Sequence, residues 1–431
     1  MSGDIGISLP PRMAQLPTSV VRAALGAMPE VTERITAEFA RAGTPEPHWP
    51  AWKWGVARAV VTMHGMAGVL ARNSNWHAAP GWREFLHQQR AHIAERQQSV
   101  ARLVDAVASS ASEARIRVVV LKGAALPQFG LAPSGSRPLA DLDLLVNSAD
   151  GAATTALLQG LGYREDEESW KHIAFSPLRS SARQEFGEHS DRAIGVDLHF
   201  SIQERLAGRT FDITREIFAP SGANGVGFYP SRVALMRHLL LHAAGNMATQ
   251  WLRAIQLHDI ASLAAQFEQS DWDGLLAAGL EAGERWWTFA PLLLTDRYWT
   301  DTIPPRVLDA LSRECGVLHR RAVRDLRLAE VSASNPRLAA FPELPWCRSP
   351  LAVLQYCWRR VFPARETIVS YGHLQQTTDF ARDADWFQKS QASRMLKWLF
   401  ARPPRPASLF MISGGLQSQA ADGSVLSDGL P

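Results

Sequence analysis

The chain has 431 residues, of which 46% are hydrophobic and 20% are charged. This balance is typical of a globular protein and excludes a largely disordered one. The formal net charge of +3 is too small to favour a nucleic acid or an anionic membrane as a partner. A chain of this length is expected to fold into two or three domains.

The three cysteines, Cys315, Cys347 and Cys357, are widely spaced and odd in number. They favour buried thiols in a reducing compartment over disulfides or a zinc site. No apolar run reaches the roughly 18 residues of a membrane-spanning helix, and the N-terminus lacks the basic and then apolar pattern of a signal peptide. We therefore expect a cytoplasmic protein without a membrane partner.

The first part of the chain is predicted to be helical. Residues 1–17 read as a flexible leader. Over residues 18–112, apolar side chains recur at helical spacing, as at Val21, Leu25 and Met28. This pattern predicts an N-terminal helical domain that covers the element after it.

An α/β core is predicted over residues 113–202. The run Val118–Val120 and the stretches 141–146 and 194–201 are apolar and alternating, as strands are. Strands and helices alternate at tight spacing, which favours a small mixed sheet backed by helices. The predicted fold class is α+β, with this core between an N-terminal and a C-terminal helical domain.

Helical patterns return over residues 203–401 and predict the C-terminal helical domain. One helix is expected to begin after Ser231, which is a suitable N-cap. Residues 402–431 are rich in Pro, Gly and Ser and are predicted to form a disordered tail.

Two carboxylates stand out in the strand predicted at LADLDLLV. Because side chains alternate along a strand, Asp141 and Asp143 point to one face while Leu142 and Leu144 point to the other. Two adjacent carboxylates repel each other, and burying them unpaired is costly. This pattern indicates that the strand holds a cation.

A third carboxylate lies in a similar setting in AIGVDLHFS, where Asp197 and His199 share one face of a predicted strand. An Asp-x-Asp strand with one further Asp on a neighbouring strand can hold two Mg²⁺ ions roughly 3.5–4 Å apart for in-line phosphoryl transfer. Asp197 is either the third ligand or a base toward an acceptor hydroxyl. His199 either steers the substrate or is a satisfied core histidine.

The segments VVVLKGAAL, RPLADLDLLV and VDLHF resemble the three signatures of the uncharacterised nucleotidyltransferase family, within the polymerase β-like nucleotidyltransferase superfamily. The resemblance covers Ile116 to about Phe200. It implies a nucleotidyltransferase that uses two Mg²⁺ ions and a nucleoside triphosphate, such as ATP, as donor. It also implies that Asp141, Asp143 and Asp197 are the catalytic metal ligands. The acceptor is expected to be a hydroxyl of a small molecule, a peptide or a protein.

Four residues before the acid pair are candidates for binding the nucleotide phosphates. Lys122 either contacts a phosphate or pairs with an acid, and Gly123 either lets phosphate approach the backbone or only allows a tight turn. Arg137 is either a phosphate clamp or the partner of an acid. Ser136, in a Ser-Gly-Ser loop, either contributes to an anion-binding nest or lies in a plain surface loop.

One departure from the superfamily pattern leaves other functions open. Gly123-Ala124 stands where Gly-Ser is usual, so the serine of the usual triphosphate-binding motif is missing. A catalytically degenerate scaffold that binds nucleotide or metal is therefore one alternative, and a metal-dependent phosphohydrolase is another. A zinc site formed by His238, His242 and the 258–259 pair is a further alternative.

Overall fold

The computed structural model describes residues 16–77, 79–168, 170–178, 186–218, 225–279, 285–363, 390–400 and 403–423. The leader predicted at 1–17 lies almost wholly outside these described residues. Described helices before the first strand are α1 (Thr18–Ala40), α2 (Ala51–His64), α3 (Ala67–Asn73) and α4 (Trp82–Glu113).

The helices within and after the sheet are short at first and then form a bundle. In chain order they are α5 (Lys122–Ala125), α6 (Gly151–Gly160), α7 (Thr214–Ile217), α8 (Arg232–Thr249), α9 (Ala254–Ala264), α10 (Gln269–Ala277), α11 (Phe289–Tyr298), α12 (Pro305–Glu314), α13 (Val317–Val323), α14 (Pro350–Val361), α15 (Gln391–Phe400) and α16 (Pro406–Ala421). Ser231 caps α8 as predicted, since its side chain accepts a hydrogen bond from the Ala234 N–H group.

Eight strands are described, and six of them form one mixed sheet in the order β3-β4-β5-β2-β1-β8. The strands are β1 (Arg117–Val120), β2 (Asp141–Val146), β3 (Tyr163–Glu168), β4 (His172–Pro177), β5 (Gly195–His199), β6 (Gln203–Leu206), β7 (Arg209–Asp212) and β8 (Gly225–Gly227). Strand β2 runs antiparallel to β1 and parallel to β5. Strands β6 and β7 pair with each other as a separate hairpin. The fold is α+β, as the sequence predicted.

The two faces of the central strands differ because their side chains alternate. Leu142, Leu144, Val196 and Leu198 are fully buried in the hydrophobic core. Helix α4 packs beside β1, β8 and α6, whereas α8 packs against α5, α9 and the hairpin strand β6. The acidic side chains of β2 and β5 therefore face a cavity that α8 and α9 close.

Two features of the sheet and the C-terminal region differ from the prediction. The core does not end at residue 202, because β8 at Gly225–Gly227 pairs in parallel with β1. The disordered tail predicted at 402–431 is wrong for Pro406–Ala421, which forms α16. Its apolar side chains pack against α2, and Leu416 and Ile412 are fully buried. The rest of the predicted domain division stays a prediction.

Glycine allows α16 to approach α2 closely. A Cβ atom on Gly415 would lie 2.3 Å from the Gly55 carbonyl oxygen, and one on Gly55 would lie 2.9 Å from a Leu416 methyl group. The buried Arg58 guanidinium of α2 bonds the Ser418 carbonyl oxygen and forms an ion pair with Asp422. Among the described helices, none is both long and apolar enough to span a lipid bilayer.

Candidate active site

A cavity of about 420 Å³ opens where the acidic face of the sheet meets α8 and α9. Seven of the eight site residues that the sequence predicted line it: Lys122, Gly123, Arg137, Asp141, Asp143, Asp197 and His199. They come from the turn after β1, the loop before β2, and strands β2 and β5. The sheet therefore brings together residues that are up to about eighty positions apart in the chain.

The register of the parallel strands places the acids. Asp143 on β2 is the direct partner of Asp197 on β5, and Asp141 is the partner of Gly195. Because Asp141 and Asp143 are two residues apart on one strand, both reach the same face. The three carboxylates thus share one wall of the cavity.

Asp143 is the most enclosed of the three acids and is only 6% exposed. Its Oδ1 atom lies 2.6 Å from the Lys122 Nζ atom and 2.9 Å from the His199 Nε2 atom. Burial opposes ionisation of Asp143, but the Lys122 ammonium and the hydrogen bond from His199 hold its pKa well below the usual value. Asp143 is therefore a carboxylate at all physiological pH values.

Asp141 and Asp197 have the opposite electrostatic character. Surrounding protein atoms and the repulsion of Asp143 raise the pKa of Asp141, although its side chain still reaches solvent. Burial and the charges of Asp141 and Asp143 raise the pKa of Asp197 to about 7. Asp141 makes no hydrogen bond or ion pair with the part of the chain that is described. The nearby cations, Lys122 above all, offset the charge of these two acids only in part.

Two buried hydrogen bonds in series hold the Lys122 backbone in a rare conformation. Its φ of 47° lies in the left-handed region, which costs energy for a residue with a side chain. The Lys122 N–H group donates to the Tyr229 hydroxyl at 2.9 Å, and that hydroxyl donates to His238 Nδ1 at 2.6 Å. Burial and the Lys122 charge keep the pKa of His238 well below its usual value, so its ring is a neutral acceptor. These partners fix the turn that delivers the ammonium to Asp143.

The Arg137 guanidinium packs against Gly123. Its Nε atom donates to Asp259 Oδ2 at 2.8 Å, and its Nη1 atom donates to the Pro138 carbonyl oxygen at 3.1 Å. A Cβ atom on Gly123 would lie only 2.0 Å from Arg137 Nη1. Glycine at position 123 is therefore needed for the guanidinium to pack there, and that group now covers the space beside the backbone.

Ser136 is the one predicted residue that the structure does not bring to the site. It is 3% exposed and lies outside the cavity, and its hydroxyl donates to the Pro133 carbonyl oxygen at 2.6 Å. That local bond closes the loop and leaves no hydroxyl hydrogen for a ligand. We therefore leave Ser136 out of the proposed site.

Two imidazoles stand beside Asp197. His172 on β4 is the direct partner of His199 on β5, and its Nε2 atom lies 3.6 Å from Asp197 Oδ2. One potential ligand atom from each of His172, Asp197 and His199 lies within 4.8 Å of the other two. Burial and the nearby His199 lower the pKa of His172 to about 4, so its ring is neutral near pH 7.

Arg96, which sequence reasoning missed, holds the loops that lead into the acidic strands. This α4 side chain is 1% exposed. Its guanidinium donates to the carbonyl oxygens of Leu139 at 2.8 Å, Ala140 at 3.1 Å and Arg192 at 2.6 Å. The three carbonyl groups lie 43 or more positions from Arg96 in the chain. Because every residue has a backbone carbonyl group, no sequence pattern could have revealed this role.

Helix α8 and the turn before α9 line another part of the cavity wall. Helix α8 contributes three lining residues spaced four positions apart, His238, His242 and Asn246. Together they span about 12 Å of the helix. Two further lining residues are Trp251, which is 45% exposed, and Arg253. Arg253 Nε donates to the Met63 carbonyl oxygen at 2.9 Å, while its two Nη atoms make no hydrogen bond to the described residues.

The zinc alternative finds no support in the geometry. His242 Nδ1 contacts Gln256 Nε2 at 3.3 Å, and His258 packs between the rings of Phe39 and Trp299. Asp259 is taken by Arg137. These polar groups are satisfied separately within the bundle, and of the four zinc candidates only His238 and His242 line the cavity.

The model of the family described as uncharacterised nucleotidyltransferase matches residues 50–299. The chain belongs to the uncharacterised nucleotidyltransferase family. This family is one of transferases of phosphorus-containing groups, and its match extends well beyond the predicted core, from α2 to α11. No curated protein matches the chain, and no solved structure matches it.

Proposed function

We propose that this member of the uncharacterised nucleotidyltransferase family moves a nucleoside monophosphate from a nucleoside triphosphate to an acceptor hydroxyl, with Mg²⁺ as cofactor. The single observation that carries the proposal is the pairing of Asp143 with Asp197 across β2 and β5, with Asp141 on the same wall. In-line transfer of a phosphoryl group is the chemistry that such a set of carboxylates serves.

The donor set fits Mg²⁺, which prefers hard oxygen ligands and retains open positions for water and phosphate. Lys122 forms an ion pair with Asp143, but neither Asp141 nor Asp197 forms an ion pair with a lysine or arginine among the described residues. Asp141, Asp143 and Asp197 are thus the proposed ligands. When bound, Mg²⁺ would supply positive charge to these acids and to the donor phosphates.

The basic residues of the cavity are proposed to bind the donor phosphates. The Lys122 ammonium lies at the acidic wall, and the Arg137 guanidinium has an Nη2 group that makes no hydrogen bond to the described residues. Because Arg137 is anchored on Asp259, its free donors are held in place for a phosphate oxygen. His199 contributes by orienting Asp143.

The acceptor is proposed to contact the part of the cavity that α8 and the turn before α9 line. Asn246, Trp251 and Arg253 lie there, and the Asn246 side-chain amide and the Arg253 Nη groups make no hydrogen bond to the described residues. An acceptor hydroxyl at the acidic wall attacks the α-phosphorus of the donor, the hydroxyl proton is released, and pyrophosphate leaves in line. Helix α8 and the turn before α9 would then decide which small molecule, peptide or protein is modified.

One observation favours a second candidate function. Arg137 covers the space beside Gly123, where superfamily members expose a glycine and a serine to the triphosphate, and Lys122 already occupies Asp143. A degenerate protein that binds nucleotide or metal without turnover has the same features. Turnover separates the two candidates, because only the enzyme produces pyrophosphate.

Calorimetric titration with ATP, GTP, CTP and UTP, each with Mg²⁺ or with EDTA, tests the proposal. Asp141→Asn is the informative variant, because Asp141 is exposed and makes no described hydrogen bond that the change would remove. Asp309→Asn, at an exposed position of α12, is the matched control. We expect one nucleotide to bind with Mg²⁺, at least about tenfold more weakly with EDTA or in Asp141→Asn, and unchanged in Asp309→Asn.

Pyrophosphate release in the presence of a cell extract then separates the candidates. Release by the wild type and the Asp309→Asn control, with loss in Asp141→Asn, supports transfer. Nucleotide binding without pyrophosphate release supports the scaffold. If no nucleotide binds to the folded wild type under any condition, the proposal is wrong.

A further inference from the structure

We propose that His172, Asp197 and His199 form a second cation site that takes a divalent ion of the first transition series in preference to Mg²⁺. The inference concerns cation binding alone, so it holds whether or not the chain transfers nucleotides. It gives Asp197 two sets of neighbours on the wall of the cavity: Asp141 and Asp143, with which it forms the proposed Mg²⁺ site, and His172 and His199, with which it forms the mixed site.

The sheet builds this site from two neighbouring antiparallel strands. His172 and His199 are direct partners on β4 and β5, and Asp197 lies two residues before His199 on the same face. The ring centroids of the two histidines are 5.2 Å apart. One potential ligand atom from each of the three residues lies within 4.8 Å of the others, which is close enough for one ion to contact all three after small side-chain movements.

This arrangement differs from the carboxylate pair in its chemistry. Imidazole nitrogen suits Zn²⁺, Co²⁺ and related ions, whereas Mg²⁺ prefers oxygen ligands and near-octahedral geometry. The strands fix the backbone of all three residues, so the ligands are positioned before an ion arrives. The site also faces the cavity, which gives an ion a route from solvent and leaves room for water ligands.

A neighbouring carboxylate strengthens the case for His199 as a ligand. His199 Nε2 lies 2.9 Å from Asp143 Oδ1. A carboxylate that accepts a hydrogen bond from a metal-binding imidazole fixes its orientation and raises its basicity. Asp143 is in turn held by Lys122 at 2.6 Å, so the carboxylate has a fixed position from which to orient the ring.

Titration with Co²⁺ in the presence of excess Mg²⁺, followed by visible absorption, tests the site without any substrate. The test variant is His172→Asn, which removes a ligand that the proposed transfer reaction does not use. The matched control is His242→Asn, another cavity histidine outside the cluster. Asp141→Asn serves as the second control, because it alters the carboxylate part and leaves the mixed part intact.

The wild type is expected to bind one Co²⁺ ion with ligand-field absorption bands that excess Mg²⁺ does not abolish. His172→Asn should bind Co²⁺ at least about tenfold more weakly, while His242→Asn and Asp141→Asn should bind it as the wild type does. Circular dichroism and thermal unfolding establish that each variant is folded, and His172→Gln replaces any variant that is not. Equal Co²⁺ affinity in the wild type and the folded His172 variant would overturn the proposal, as would displacement of Co²⁺ by Mg²⁺ at similar concentration.

Discussion

Asp143 and Asp197 are direct partners across two parallel strands, yet their pKa values move in opposite directions. Lys122 and His199 offset the burial of Asp143 and lower its pKa, whereas burial and the charges of Asp141 and Asp143 outweigh the effect of Lys122 on Asp197 and raise its pKa to about 7. The pKa values of two adjacent carboxyl groups move apart in this way because the charge of one disfavours ionisation of the other. The pair therefore provides one permanent anion and one carboxyl group that can lose a proton near neutral pH.

This difference predicts how Mg²⁺ binding depends on pH. Asp197 must lose its proton to bind a cation, so affinity should rise with pH up to about 7 and level off above it. At one pH unit below that pKa, affinity should be about tenfold lower than the plateau. Calorimetry at pH 6 in buffers of different ionisation enthalpy should show close to one proton released for each ion bound. Asp197→Asn should bind Mg²⁺ more weakly and without this dependence, and a flat profile for the wild type would contradict the prediction.

The Lys122–Asp143 ion pair predicts a strong loss of stability when one partner is removed. Both side chains are largely buried, with exposed fractions of 20% and 8%. Lys122→Met should therefore lower the free energy of unfolding by roughly 2–4 kcal/mol, because a buried carboxylate loses its counter-ion. Urea unfolding of Lys122→Met, Asp143→Asn and the double variant measures the coupling. The double variant should be less destabilised than the sum of the single variants, and strict additivity would show that the pair is not coupled.

The close contact between Gly123 and Arg137 predicts an asymmetric response to two glycine substitutions. In Gly123→Ala, the new methyl group would meet a guanidinium that is anchored on Asp259. We expect a loss of about 1–3 kcal/mol in the free energy of unfolding and weaker nucleotide binding.

Gly160→Ala is the matched control for that substitution. Gly160 lies in α6 with nothing within 4 Å of its added Cβ atom, so this change should be neutral or slightly stabilising. Chemical denaturation of both variants, with calorimetric titration of the nucleotide, gives the comparison. Unchanged stability and binding in Gly123→Ala would show that Arg137 moves aside easily.

Buried His64 predicts a loss of stability in mild acid. The His64 ring accepts a hydrogen bond from the Ala254 N–H group at Nδ1 and donates to the Ser334 hydroxyl through Nε2. Burial, with a smaller effect of Arg253, lowers its pKa from 6.5 to about 3. Below pH 6.5 the unfolded chain therefore binds a proton at His64 that the folded chain does not bind. The stability that the neutral His64 ring contributes is complete above pH 6.5 and is lost as the pH falls toward 3.

Between pH 7 and pH 5 this one group should cost the fold about 2 kcal/mol. Urea unfolding at both pH values measures it for the wild type, for His64→Gln and for His87→Gln, a change at an exposed position. His64→Gln should be less stable at pH 7 but less sensitive to pH, whereas the control should behave as the wild type. An equal pH dependence in all three proteins would rule out the role of His64.

The role proposed for Arg253 predicts that acceptor binding can be weakened without weakening donor binding. If its Nη groups serve the acceptor, Arg253→Gln should leave the affinity for the Mg²⁺–nucleotide complex within about twofold of wild type. Arg137→Gln should weaken that affinity at least about tenfold, since it removes a charge-assisted donor. Calorimetric titration of both folded variants decides the matter. Similar losses in the two variants would place Arg253 at the donor.

Much of the acidic wall was predictable because it depends on local rules. The two-residue periodicity of a strand puts Asp141 and Asp143 on one face, and the same rule joins Asp197 to His199. The α+β class followed from alternating short elements. Neither inference requires knowledge of which strands are neighbours.

The partners of those residues were not predictable in the same way. Asp259, which holds Arg137, is 122 positions away from it, and the Tyr229 hydroxyl that fixes Lys122 is 107 positions away. Such contacts depend on how separate elements pack, which a single sequence does not encode at short range. The prediction of a disordered tail failed for a related reason, because the composition of Pro406–Ala421 is weakly helical and its order comes from packing on α2.

The union of α2 and α16 has a consequence for biosynthesis. Arg58 and Ser418, which bond across this interface, are 360 positions apart in the chain, so ribosomes complete α2 long before its packing partner emerges. At about 5–20 residues per second, the apolar face of α2 stays exposed to solvent for a time on the order of tens of seconds. During that interval we expect chaperones to bind the N-terminal helices of the nascent chain.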